Sequence, residues 1–297
     1  MALLDQLKSL IEEPPPPFAF ELSEAGVAYA QRRKPDPVID FRPFPAPAIQ
    51  ASPVRENIVD AEVLSAHIAG LPVADGKRRG DAALILPDYS ARVALLDFES
   101  FPKDPAEQAA LVRFRLKKAV PFETDAAAIS YQAHKGPGQT IEVLVAAAAM
   151  EIVSKYEAPF RAAGYQPGFV TTSMLATLDL LPKEGLQVCA KVCGQTLTVA
   201  VCQGRSPRLV RCVELDGFTA EEMMGVLYPT FAYAEDELKQ RPARMFVAGF
   251  DMLDNWAAKQ CETEMGIRFE PLKSDWGPAA EVNAGLLGWL QAQKEGN

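Results

Sequence analysis

Cysteine and histidine carry the most versatile side-chain chemistry, and this chain holds five of the first and two of the second. Cys189 and Cys193 sit four residues apart in a strand-like run. On a strand that spacing is ~13 Å, too far to share one zinc ion at bond lengths of ~2.3 Å. His67 and His134 lie far apart in sequence. The odd number of cysteines, also including Cys202, Cys212 and Cys261, reads as reduced, buried thiols in a cytoplasmic protein. No Gly-x-x-x-x-Gly-Lys-Ser/Thr loop is present to cradle phosphates, and no Gly-x-Ser-x-Gly elbow to present a nucleophile. Thr171, Thr172 and Ser173 precede an apolar run, where hydroxyls start helices, and Asp251 reads as a helix N-cap before Met252.

Elements must position whatever chemistry exists, and the hydrophobic pattern supplies them. Residues 1–13 place Leu3, Leu4, Leu7, Leu10 and Ile11 on one helical face, and Pro14 to Pro17 follow as a stiff spacer. This segment lies outside the compact fold by pattern and reads as a helix docked on its own protein or a neighbour, the alternative being a tethered interfacial or partner-binding anchor. Short strands follow at Phe18–Leu22, Val27–Gln31 and Val38–Phe41, then a helix near Asp60–Gly70 and strands Ala82–Leu86 and Ala91–Phe98. A helix runs from Pro105 to Lys118, and a hairpin of Ala128–Ala133 and Ile141–Ala147 turns at a Gly-Pro-Gly over 136–138. Helix Ile152–Ala163 and a loop to Phe169 close the first half. The second half repeats the order: strands Gln187–Val192, Leu197–Cys202 and Leu209–Glu214, helix Ala220–Lys239, strand Arg244–Ala248, helix Met252–Met265, strand Ile267–Pro271 and helix Ala279–Gln293. Two halves that each open with a three-strand meander predict a duplicated α/β fold.

The helix from Pro105 has an unusual surface. Ala109, Val112, Leu116 and Val120 form one apolar stripe. Leu111 and Phe114 lie on the other side, with Arg115 and Lys118 beside them, so a second face asks for a lid or a partner. Pro121 ends the helix, since the residue before proline is pushed out of the α region. Lysines in the last turn suit the negative end of the helix dipole.

Of the 297 residues, 48% are hydrophobic and 23% charged, an ordinary soluble balance that suits two compact lobes. A net charge of −9 argues against nucleic acid as a partner. The basic runs Arg32 to Lys34, Lys77 to Arg79 and Arg113 to Lys118 read as solvated faces. No apolar run reaches the ~20 residues of a membrane span, and the N-terminus lacks the pattern of a secretory signal.

Lys118-Ala-Val-Pro-Phe-Glu, followed by Ala128-Ile-Ser-Tyr-Gln, resembles a signature of PilM, the actin-like cytoplasmic component of type IV pilus assembly. Pro207 to Thr219 is similar to that family's arginine strand and the helix start after it. Phe246 to Phe250 resembles its Leu-Ser-Gly-Gly, and Asn283 to Leu287 its closing Ala-x-Gly-Leu-Ala. The resemblance implies a duplicated ribonuclease-H/actin-like fold. Lobe I would span about 18–185, with a small inserted subdomain over about 87–138, and lobe II 186–297, its last helix returning to lobe I. It also implies a scaffolding role: binding the cytoplasmic N-terminal tail of a bitopic, PilN-like membrane protein in a groove beside the inserted subdomain. Leu111, Phe114, Arg115, Lys118, Val120 and Phe122 are the candidates for that groove. The chain would then be cytoplasmic and held at the inner membrane only through its partner, with self-association open.

Actin-like ATPases hold Mg²⁺ and phosphates with two Asp-x-Gly turns, and a later Gly-Gly makes room for the adenosine. Here Glu21 stands for the first Asp, Ser23 for its Gly, and Ala28 where Lys is common. Glu24 adds a second negative charge beside the phosphates. Lys191 replaces the second Asp, Gly194 comes one place late, and only Gly249 remains of the adenosine element. An ammonium has no lone pair for Mg²⁺, and phosphoryl transfer depends on positioned metal and charge. The expectation is a pseudo-ATPase with no cofactor, the alternative being ATP bound without metal. Two other functions stay open: the cytoplasmic domain of a GspL-like type II secretion protein, and a divergent kinase or ATPase of the same superfamily.

Overall fold

The computed structural model describes residues 15–33, 35–71, 80–136, 140–242, 244–250 and 255–295, the last group without the side chains of residues 255 and 256. The expected N-terminal helix, Lys34, the run Lys77 to Arg79, most of the Gly-Pro-Gly turn and the Asp251 cap lie outside the described residues.

The chain starts with an antiparallel meander, β1 (Phe18–Leu22), β2 (Gly26–Gln31) and β3 (Val38–Pro43). A helix, Ala61–Ala69, is capped by the Asp60 carboxylate and leads to β4 (Asp81–Leu86), which pairs parallel to β1. An inserted unit follows, made of β5 (Arg92–Phe98), helix Pro105–Leu116, β6 (Ala127–Lys135) and β7 (Ile141–Ala149) in a three-stranded antiparallel sheet of order β5-β7-β6. Because β7 is its middle strand, this unit extends past residue 138, the bound that the resemblance implies, to Ala149. Helix Met150–Ala162 then leads into β8 (Gln166–Thr172), which joins β4 in parallel and completes a five-stranded sheet of order β3-β2-β1-β4-β8.

The second half repeats this plan. β9 (Leu186–Cys193), β10 (Thr196–Gln203) and β11 (Ser206–Glu214) form a meander, helix Ala220–Asp236 crosses to β12 (Arg244–Ala248), and helix Asn255–Met265 leads to β13 (Arg268–Pro271). The strand order, β11-β10-β9-β12-β13, matches that of the first sheet position by position. The expected α/β duplication with an inserted unit is therefore the architecture of this chain.

Two of the differences from the sequence pattern have a clear local cause. The stretch before Phe169 reads as loop but is the start of edge strand β8. Pro167 and Gly168 sit at a bulge against Ala82 and Ala83, one of the few strand positions where proline costs no ladder bond. The last helix begins at Ala284 and not Ala279, because Asn283 Oδ1 accepts the Ala280 amide at 2.8 Å and holds a turn before it.

Strand periodicity divides large from small side chains. On β1, Phe18, Phe20 and Leu22 face the outer helices, packing with Leu84, Ile152, Tyr156 and Phe160. Ala19 faces the opposite side with Ala28, Ala30, Ala83 and Ile85, and there the final helix, Ala284–Glu295, lays down Leu286, Trp289 and Leu290. The short helix Ser173–Thr177, which follows β8, reciprocates. Its Met174 packs with Leu178, Leu181, Cys189, Cys202 and Ala248, facing the second sheet. No helix among the described residues is long and apolar enough to cross a membrane.

Candidate functional site

The period-2 rule that sends Phe20 outward turns Glu21 toward the other lobe, as it does Lys191 between the outward-facing Ala190 and Val192 of β9. Both are 1% exposed. The Glu21 carboxylate accepts the Ser173 hydroxyl on one oxygen and the Leu286 amide, at 2.7 Å, on the other. Lys191 Nζ lies 3.0 Å from Asp88 Oδ2. Asp88 belongs to the turn Asp88–Ser90 just after β4, and its Oδ1 accepts the Met174 amide at 2.6 Å. One ammonium from lobe II thus sits among carboxylates of lobe I. Burial pushes the Glu21 pKa up, against Lys191, Ser173 and Leu286, which favour its anion. Burial also opposes the charge on Lys191, but Asp88, aided by Cys193 and Glu21, outweighs it and holds the pKa above the ordinary lysine value.

The turns that would cradle phosphate are occupied as well. The Ser23 amide donates to the Gly26 carbonyl at 3.0 Å, and Ser23 Oγ accepts the Gly26 amide at 3.2 Å, closing the β1–β2 hairpin on itself. Gly194, at φ 55°, gives its amide to Glu281 Oε1 at 2.7 Å. The Glu24 carboxylate, held by the Ala51 amide at 3.0 Å, comes within 3.2 Å of where a Cβ on Gly194 would stand. Gly249, at φ 75°, lies so close to β9 that a Cβ would fall 2.2 Å from the Val192 carbonyl. Its lack of a side chain serves this backbone approach.

These groups do not fit a magnesium nucleotide. The position of the second metal-organising acid is a buried lysine with its own counter-ion. The amide of the second turn already binds a carboxylate, and a second carboxylate beside it would repel phosphate. Among the described residues, no three His, Cys, Asp or Glu side chains group as a metal site, and the five cysteines are free thiols. The resemblance pointed to Glu21, Ser23, Lys191, Gly194 and Gly249; it did not name Asp88, Glu281 or the bond from Ser173 to Glu21. Asp88 did carry one signal: an acid just past the C-terminal end of a buried parallel strand, where α/β proteins place site residues.

The six candidate partner residues divide. Leu111 and Val120 are half-buried and pack on the inserted unit's own core of Leu96, Phe98, Val112, Leu116, Val143 and Val145. Arg115 is exposed and stacks its guanidinium 5.2 Å over the Phe98 ring, and Lys118 is exposed. Phe114 stands 70% exposed. The expected second apolar side, shared by Leu111 and Phe114, is therefore absent: Leu111 turns inward and leaves Phe114 alone. Phe122 packs on the same core and also reaches a groove. It lines a cavity of about 300 Å³ between the inserted unit and lobe I, with Pro53, Val54, Pro121, Ile152 and Lys155. A second cavity of about 520 Å³, lined by Ile58, Leu64, Ala158 and Pro159, adjoins it across the Glu56–Lys155 ion pair.

Duplicated sheets of this order, with sequence-distant strand turns meeting between two lobes, define the actin-like ATPase fold. No family model matches the sequence, and no curated relative matches it. Solved structures do. The chain superposes on the PilM–PilN type IV pilus biogenesis complex with a TM-score of 0.70 at 16% identity, covering 96% of this chain and 99% of that one. A Bacteroides thetaiotaomicron protein with an actin-like ATPase fold gives 0.53 at 10% identity over 93% and 95%. The cytoplasmic domain of EpsL, an inner-membrane component of the Vibrio cholerae type II secretion system, gives 0.50 at 13% over 77% and 81%. At these identities the likeness establishes the fold. The resemblance to PilM drawn from Lys118–Glu123 and Asn283–Leu287 holds at that level.

Proposed function

We propose that this chain is a non-catalytic actin-like scaffold in the inner-membrane platform of a type IV pilus or related secretion system. It binds the cytoplasmic tail of a bitopic, PilN-like protein in the groove beside its inserted unit, and it does so without ATP. The observation that carries the reading is the Lys191–Asp88 pair at the centre of the interlobe site, where a hydrolase needs a metal-organising acid. The end-to-end likeness to a PilM solved with PilN supports the choice of partner. The groove supports the mode: apolar walls from Pro53, Val54, Phe122 and Ile152, with charged rims, suit a short peptide with apolar anchors. Localisation follows from the partner, which would hold this chain at the inner membrane.

The test is a peptide copying the cytoplasmic N-terminus of a bitopic protein encoded beside this chain. A ligand that binds only the folded state stabilises it by about 2.7 kcal/mol at a hundred times Kd. The melting temperature should rise saturably with peptide. Val54→Asp, at a position 57% exposed on the groove wall, should abolish the rise and leave the free protein's melting unchanged. A peptide that gives no shift on the wild type contradicts the scaffold reading.

A further inference from the structure

A lysine that is 1% exposed needs a physical reason, because burying a long cation is costly unless its charge is met. Lys191 meets Asp88 directly at 3.0 Å and lies close enough to Glu21 to favour that residue's anion. The two carboxylates are fixed from behind. Asp88 is held by the Met174 amide and Glu21 by the Leu286 amide and the Ser173 hydroxyl. Met174 and Leu286 belong to the two short-range partners of the interlobe crossing, the helices Ser173–Thr177 and Ala284–Glu295. One ammonium therefore ties β9 of lobe II to the turn after β4 and, through Asp88, to the helix Ser173–Thr177, with Glu21 of β1 nearby.

We propose that Lys191 is an internal counter-ion: it fills the cation position between the lobes and holds this side of the cleft closed with no metal or nucleotide. The idea rests on the reading of the site as nucleotide-free and deepens it, since the closed, tail-binding form then needs no ligand to switch it on. Asp88 is the anionic seat of the tethered cation, and the loss of either charge of that pair alone leaves the other group buried and unpaired. Glu21, held by Ser173 and Leu286, completes the polar wall beside it.

The experiment compares the wild type with Lys191→Met and the double variant Asp88→Asn/Lys191→Met by thermal melting and hydrogen exchange. The single variant keeps the length of the side chain and removes the charge. It should melt about 10 °C lower, the scale expected when one partner of a buried pair is removed from a chain of this size. Exchange should quicken at the Met174 and Leu286 amides. The double variant, which buries no lone charge, should recover at least half of the melting temperature and should fold even if the single variant does not. A single variant as stable as the wild type, or a double variant no better than the single, overturns the proposal. A wild-type arm with ATP and Mg²⁺ separates the two ideas. A saturable shift there sinks the nucleotide-free reading, whereas failure of the variant series sinks the counter-ion alone.

Discussion

Asp179 shows how a single side chain tunes this molecule. It is half-buried near Arg205 and Glu295, and burial raises its pKa to about 6, with Arg205 opposing and Glu295 adding to the rise. The folded state therefore holds this proton more tightly than the unfolded chain, whose value is near 3.8. The resulting stability is full below pH 3.8 and is lost as pH climbs through about 6. Asp179→Asn should raise the melting temperature at pH 8 and leave it unchanged near pH 3.5, read as a melting series across that range. An equal effect at both ends would mean that the carboxyl does not titrate in the fold. At this same scale the sequence was informative about Lys191 and uninformative about its meaning. The residue type already excluded a metal ligand. Its partner Asp88 lies 103 positions away, and Glu21 meets Leu286 across 265 positions, distances over which local pattern carries no signal.

The elements were legible wherever periodicity was clean. β1 alternates Phe-Ala-Phe-Glu-Leu, so one face fills with aromatic bulk while the other stays small enough for a helix to approach. β8 was not legible, because Pro167 and Gly168 are breaker residues in most strands and are tolerated here by an edge bulge. Nor could pattern foresee why Gly285 and Gly288 sit in the last helix. A Cβ on Gly288 would fall 2.0 Å from the Ala176 carbonyl, and one on Gly285 2.9 Å from Ser173 Cα, so both mark the close crossing of the two interlobe helices. Gly288→Ala should destabilise by about 3 kcal/mol, the upper range of overpacking, because backbone and not a flexible side chain must move. Gly225 provides the control. It lies within helix Ala220–Asp236 with open space around its Cβ position, so Gly225→Ala should stabilise by up to about 1 kcal/mol. Chemical denaturation of the two variants checks both signs.

At the scale of the whole molecule, two copies of one sheet plan face each other across a cleft, and a third, smaller sheet leans against both. Its β7 residue Glu142 pairs with Arg208 of β11, tying the inserted unit to lobe II while its other side borders the groove on lobe I. On the proposed reading, a tail seated in that groove would touch a unit already braced from behind. Cleft and groove are separate places, so the proposed tail binding does not depend on phosphate chemistry in the cleft. The fold was readable from element order because duplication repeats a pattern. The groove was only partly readable, since Leu111, Val120 and Phe122 all serve the inserted unit's own core and only Phe122 of the three also lines it. The most direct test of a nucleotide-independent scaffold is calorimetric titration of ATP with excess Mg²⁺ into the wild-type protein. The expected result is no saturable heat and no phosphate released. A one-to-one isotherm that requires magnesium would contradict the account, since it would place a metal nucleotide where Lys191, Glu24 and Glu281 now stand.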